Sequence, residues 1–92
     1  MSLIDVLGSP ARLKILRELS HGPMYVSELA EAVGMDGSTA VHHLSTLEEY
    51  GVVEHYLHGN RKYYLLVKSV ELHVAPPPER TFILQARDVD DE

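Results

Sequence analysis

Two short stretches of this sequence carry side chains that could bind an anion. The first is a predicted tight turn at Gly59, followed by Asn60, Arg61 and Lys62. The second is the outward side of a helix predicted over residues 37–50, which presents Ser38, Thr39, Val41, His42 and Ser45. Free amides at a helix start, together with guanidinium and ammonium groups, are donors that bind phosphate. Both stretches therefore indicate contact with a phosphate-bearing partner.

Each of these residues also has a simpler explanation. Ser38 and Thr39 could do no more than cap and solvate the first turn of their helix. Arg61 and Lys62 could blunt the end of a hairpin. From the residues alone, the binding role and the simpler role both stay open for these four residues. For His42, contact with a base or phosphate and simple exposure without a role are equally favoured. Lys14 and Arg17 are weaker candidates on the polar side of an earlier helix.

Caps and chain breakers predict two helices upstream of these stretches. Ser9 and Pro10 mark the start of the first, and Gly22 follows its end. Its apolar stripe would comprise Leu13, Ile15, Leu16 and Leu19. Ser27 is the expected cap of the second helix, and Gly34 its end. Both helices would pack against the helix of residues 37–50.

The third helix should lead directly into a hairpin. Asp36 is placed to cap it through Thr39, and Gly51 should end it. Its buried side would comprise Ala40, Leu44 and Leu47. Residues 52–57 and 61–67 then alternate as two antiparallel strands. These elements bring the helix start and the basic turn into one small domain, residues 1–68.

The tail, residues 69–92, has a different character. Its two strand-like segments, residues 70–74 and 81–85, are separated by three prolines, which a central strand cannot contain. The outward side of the return strand is apolar, with Tyr63, Leu65 and Val67, and needs cover. We expect the tail to form β-structure over that side, partly between two copies of the chain, and to end in a disordered acidic segment.

The composition argues against several kinds of binding partner and metal site. The net charge of −6 argues against a sequence-blind polyanion binder, because such binding rests on lysine and arginine. No cysteine is present, which excludes disulfides and thiolate metal sites. No signal peptide or membrane span is evident, so we expect a cytoplasmic protein without membrane contact. A core this small also favours a dimer.

Neither catalysis nor a cofactor is indicated. The chain has no nucleophile elbow, no phosphate-binding glycine loop and no zinc-protease motif, so we expect no enzyme activity. We also expect no metal, because His42 and His43 diverge on a helix, and His55 and His58 lie on opposite sides of a strand. A site shared between subunits, with His73 as a member, stays open.

The ordered motifs resemble the ArsR-type family of winged helix-turn-helix transcriptional regulators. Residues 8–16 are similar to the family's opening helix, and residues 26–34 to its helix before the turn. The recognition-helix pattern is matched by Ser38, Thr39, His43, Leu44, Leu47, Glu49, Gly51, Val52 and Val53. The wing, the hairpin of residues 52–67, is matched by Gly59, Arg61, Tyr64 and Leu66. The resemblance implies an α+β fold, with three short helices and a β-hairpin wing, here extended by C-terminal strands.

This resemblance implies a homodimer that binds specific double-stranded DNA and regulates transcription. The third helix would enter the major groove, and the wing would contact the flanking backbone. Two departures stand out: that helix carries no lysine or arginine, and the family's C-terminal dimerisation helix is replaced by the tail. The alternative is a winged-helix module that binds another protein and not DNA, which the acidic charge favours.

Overall fold

The computed structural model describes residues 2–89. Its elements run in the order α1 (Leu3–Leu7), α2 (Pro10–Leu19), β1 (Met24–Tyr25), α3 (Val26–Val33), α4 (Gly37–Glu49), β2 (Val53–His58), β3 (Arg61–Leu66), β4 (Lys68–Ala75) and β5 (Thr81–Asp88). The predicted α+β class and the additional C-terminal strands are confirmed. The short helix α1 was not predicted. No helix within residues 2–89 has the length and apolar character needed to cross a membrane.

The predicted helix starts follow from side chains that bind free backbone amides. The Arg12 amide donates to Ser9 Oγ at 3.3 Å, and Pro10 is the first residue of α2. The Thr39 amide donates to Asp36 Oδ1 at 2.8 Å, as predicted for α4. Gly34 ends α3 in the left-handed conformation, with φ at +75°. Local capping therefore fixes both helices that flank the predicted helix-to-helix turn.

Two details of the helix prediction are wrong. Ser27 lies inside α3, and Tyr25 is the residue that precedes the helix, without a side-chain cap. The reason is that Tyr25 is held extended by pairing with Tyr63, so the helix begins at the next residue. Leu13 is 49% exposed and does not join the buried stripe of α2. It lies about 200° around the helix from buried Ile15, so the two cannot face the same core.

The wing is the hairpin of β2 and β3, and β1 adds a short third strand to it. The strand order is β1-β3-β2, and every pairing is antiparallel. Gly59 takes a φ of +63° in the two-residue turn, a conformation that glycine adopts without strain. Neither β1 nor its pairing with β3 was predicted from the sequence. The extra strand ties the start of α3 to the wing.

The core lies where the helices meet the inner side of β3. Ala40, Leu44 and Leu47 of α4 are fully buried, as predicted. Tyr64 of β3 is only 1% exposed and joins the same cluster, as the alternation along the strand indicated. The core is completed by Val6, Leu7, Ile15, Leu16, Leu19, Leu29, Val52 and Val53. This packing fixes α4 with its outer side toward solvent.

The tail pairs with itself. β4 and β5 form a separate two-stranded antiparallel sheet, the tail hairpin, which packs beside α1 through Val70 and Leu84. The expectation that the tail covers the outward side of the wing is therefore wrong within one chain. Tyr63 on that side instead contacts the rings of its strand neighbours Tyr25 and Tyr56.

The acidic end of the chain is only partly described. Asp88 ends β5 and accepts a hydrogen bond from Lys68 Nζ, and that contact lowers the pKa of Asp88. The expectation of disorder concerns residues 90–92, which lie outside the described residues.

Candidate nucleic-acid interface

The outer side of α4 is the first part of the candidate site. Ser38, Thr39, His42 and Ser45 are exposed there, and Val41 is 39% exposed. The opposite side of the same helix is fully buried, so α4 cannot rotate without exposing its leucines. The result is a rigid helix with a small, mostly uncharged surface. Such a surface can offer hydroxyl, imidazole and methyl groups to a groove.

The start of α4 already holds an anion of its own. Asp36 Oδ1 accepts hydrogen bonds from the Thr39 amide and the Ser38 hydroxyl, both at 2.8 Å. The Thr39 amide, followed by the Ser38 hydroxyl, holds the pKa of Asp36 below its usual range, so this carboxylate is ionised at neutral pH. An incoming phosphate must therefore share or replace these donors.

The basic turn of the wing is the second part of the site. Asn60, Arg61 and Lys62 are all exposed. The guanidinium carbon of Arg61 lies 4.3 Å above the centre of the Tyr25 ring, which is a cation–π contact. Lys62 Nζ lies 5.3 Å from the centre of the Tyr64 ring. Each of the two cations therefore lies over the ring of a different tyrosine.

Tyr25 is a site residue that the sequence analysis missed. Its ring meets Tyr63 edge-on at 5.6 Å, and Tyr63 stacks on Tyr56 at 5.5 Å. These contacts anchor the ring under Arg61 by cross-strand packing. Local sequence gave no signal for this arrangement, because it depends on the pairing of β1 with β3.

A hollow of about 290 Å³ joins the two parts of the site. It is lined by Tyr25, Val26, Ser27, Gly37, Arg61 and Lys62. The structure thus brings both wing cations next to the first residue of α4. His42 and Ser45 lie further along α4, and Asn60 lies at the turn, outside the hollow's lining. The positive charge of the candidate site thus lies beside the start of α4.

Two other histidines on these elements, His43 and His55, interact with groups within the fold. Burial lowers the pKa of half-buried His43, and the charges of Arg12 and His42 lower it further. His43 is therefore neutral at pH 7 and does not lie on the outer side of α4. His55 Nδ1 is 2.6 Å from Glu48 Oε2, a contact that ties β2 to the end of α4. Among residues 2–89, no group of three potential metal ligands comes together.

Comparison with known proteins identifies the family. Residues 7–56, which run from the end of α1 into β2, match a helix-turn-helix domain family. Over 75 residues the chain is 40% identical to the HTH-type transcriptional regulator NmtR of Mycobacterium tuberculosis. The chain belongs to the ArsR family of winged helix-turn-helix regulators. The relatives that match are described as transcriptional regulators.

Solved structures of other transcriptional regulators share this fold. One is the homodimeric winged helix-turn-helix DNA-binding domain of a possible ArsR-family regulator from Mycobacterium bovis, with a TM-score of 0.65 and 37% identity over 67% of this chain and 57% of that one. Another is the transcriptional repressor BigR of Xylella fastidiosa, with a TM-score of 0.65 and 31% identity over 70% and 65% of the two chains. The present chain spans 59% of the length of NmtR.

Proposed function

We propose that this ArsR-family chain is a sequence-specific DNA-binding regulator of transcription that acts as a homodimer in the cytoplasm. In this proposal α4 enters the major groove, and the wing contacts the flanking backbone. The observation that carries it is the hollow that Arg61 and Lys62 share with Gly37, the first residue of α4. A duplex seated on α4 would thereby meet both cations.

The roles of the individual residues follow from their chemistry. Ser38 and Thr39 would contact phosphate at the start of α4. His42 and Ser45 would reach base edges, and the methyl groups of Val41 would contact thymine methyls. Asn60, Arg61 and Lys62 would hold the backbone beside the groove. Because α4 has no lysine or arginine, guanine recognition by those residues is absent, and selectivity would rest on DNA shape and apolar contacts.

Duplex binding across a salt series tests this proposal. Fluorescence polarisation would compare DNA from upstream of the chain's own gene with scrambled duplexes. Two wing cations from each protomer predict that log K falls with log salt at a slope of about −4, close to 0.9 per phosphate neutralised. Preference for the upstream duplex together with this slope supports a specific regulator. No binding at about 50 mM salt, where phosphate contacts are strongest, contradicts it and favours the protein-binding module.

Replacing Asp36 by asparagine should strengthen DNA binding several-fold. Asparagine caps a helix about as well as aspartate, so α4 should persist, while the negative charge at its start disappears. The affinity gain should shrink as salt is raised, because it is electrostatic. The measurement is the same polarisation assay, with circular dichroism to confirm helix content. An unchanged or weaker affinity would show that phosphate does not approach the start of α4.

Replacing Tyr25 by leucine should weaken DNA binding, whereas phenylalanine should preserve it. Both substitutions keep an apolar side chain, but only phenylalanine keeps the ring that lies 4.3 Å below the Arg61 guanidinium. A cation–π contact is worth about 0.5–1 kcal/mol at an exposed site, so leucine should cost roughly two- to five-fold in affinity. Equal affinities for the two variants, at equal thermal stability, would show that the ring does not position Arg61.

A further inference from the structure

The tail hairpin is amphipathic, and its register shows why. Antiparallel pairing places Val70 opposite Ala86, Leu72 opposite Leu84, and Val74 opposite Phe82, and all six side chains are on one side. The other side carries Glu71, His73, Ile83, Gln85 and Arg87. On that second side Arg87 Nε is 2.8 Å from Glu71 Oε2. The hairpin thus has one side suited to water and one suited to burial.

The chain itself covers only part of the apolar side. Val70 and Leu84 pack against the core beside α1. Further out, Leu72 is 61% exposed, Val74 62% and Phe82 61%. This exposed row continues onto Ile4 of α1 and Leu13 of α2, which are 50% and 49% exposed. Between them lies a groove of about 310 Å³, lined by Ile4, Leu7, Gly8, Leu13, Val70, Leu72, Phe82 and Leu84.

We propose that this apolar surface, the groove and the outer end of the tail hairpin, is the contact between two copies of the chain. The inference rests on the homodimer in the proposed function and assigns its surface. One copy carries both the groove and, at the outer edge of that groove, the exposed side chains of Val74 and Phe82. A twofold axis would let each hairpin end enter the partner's groove, which is the isologous arrangement that closes a dimer.

Charge also favours a second copy as the occupant. Each chain has a net charge of −6, so a contact between two copies is opposed least where it contains no charged groups. None of the eight groove residues is charged. The M. bovis relative is itself homodimeric, and its winged domain aligns with 67% of this chain. No groove residue belongs to α4 or the wing, so a dimer formed here leaves the candidate DNA interface open on both copies.

Two neighbouring residues of β5 provide a matched test. Phe82 and Ile83 are both large, apolar and exposed, at 61% and 46%, but they lie on opposite sides of the hairpin. Sedimentation equilibrium of the full chain without DNA would compare Phe82→Glu with Ile83→Glu. We expect the native chain and Ile83→Glu to have twice the 10.3 kDa chain mass, and Phe82→Glu to have the single-chain mass. Circular dichroism would confirm that both variants fold.

A second variant covers the case in which Phe82→Glu does not fold. Leu13→Glu changes an exposed position on the groove side of the contact, on a different element, and should also give the single-chain mass. The proposal would be overturned if the native chain were monomeric. It would also be overturned if Ile83→Glu alone lost the dimer, or lost it to the same extent as Phe82→Glu. A folded Phe82→Glu dimer would do the same and would leave this surface to another partner. Because DNA is absent, none of these outcomes depends on DNA binding.

Discussion

An Arg61→Ala/Lys62→Ala variant is expected to bind duplex DNA at least about 1,000-fold more weakly than the native chain at about 50 mM salt. The reason is that these two exposed cations supply the positive charge beside α4, whose outer side carries no lysine or arginine. Removing four cations from a dimer should also flatten the salt dependence, from a slope of about −4 to nearly zero. Fluorescence polarisation over a salt series measures both quantities.

The matched control removes the same charge from a different place. Lys14 and Arg17 lie on the polar side of α2, exposed, beside a separate hollow lined with Glu18, Ala32 and Val33. Lys14→Ala/Arg17→Ala therefore changes the net charge equally without touching the wing. We expect its salt slope to equal that of the native chain. If both double variants lost affinity to the same extent, the wing would act only through the overall field, and a direct backbone contact would be contradicted.

The balance between charge and shape explains how an acidic chain could bind DNA at all. Much of the negative charge belongs to the tail, whereas Arg61 and Lys62 stand together at one edge of the candidate interface. A small positive area of this kind gives weak non-specific affinity. Selectivity must then come from the fit of α4 to the groove. The Asp36 carboxylate at the start of α4 strengthens that requirement, because it opposes phosphate there.

Much of the fold could be predicted because its signals are local. Ser9, Pro10, Gly34 and Asp36 act on amides and dihedral angles within a few residues, so the starts of α2 and α4 and the end of α3 follow closely from the sequence. The buried side of α4 follows from helical spacing alone. Gly59 likewise marks the turn of the wing.

The features that could not be predicted depend on contacts between distant residues. Tyr25 and Tyr63 are far apart in sequence, and only their pairing creates β1, places the start of α3 at Val26 and puts a ring under Arg61. The tail segments were predicted to be strands. Because β4 and β5 are close in sequence, pairing them with each other has a lower loop-closure entropy cost than pairing them with the wing. On the outward side of the wing, tyrosine rings therefore contact one another in place of the tail.

A Leu44→Ala substitution should reduce the free energy of unfolding by about 3 kcal/mol, within the usual 2–5 kcal/mol for a buried leucine. Leu44 is fully buried where α4 meets the rest of the core, and alanine would leave a cavity that rigid neighbours cannot fill. For a domain of this size the midpoint of thermal unfolding should fall by roughly 15 °C. Thermal and urea unfolding at one fixed protein concentration measure the change, since dimerisation makes stability concentration-dependent.

Val41→Ala, one turn earlier on the same helix, is the matched control. Val41 is 39% exposed on the outer side of α4, so its truncation should change stability by no more than about 0.5 kcal/mol. The same change should weaken specific DNA binding several-fold, because it removes methyl groups proposed to contact thymine. The two variants thus separate the inner side of α4, which packs in the core, from the outer side, which we propose reads the groove. A cost at Leu44 below about 1 kcal/mol would contradict the packing of α4. An unchanged affinity in Val41→Ala would contradict groove contact by that side chain.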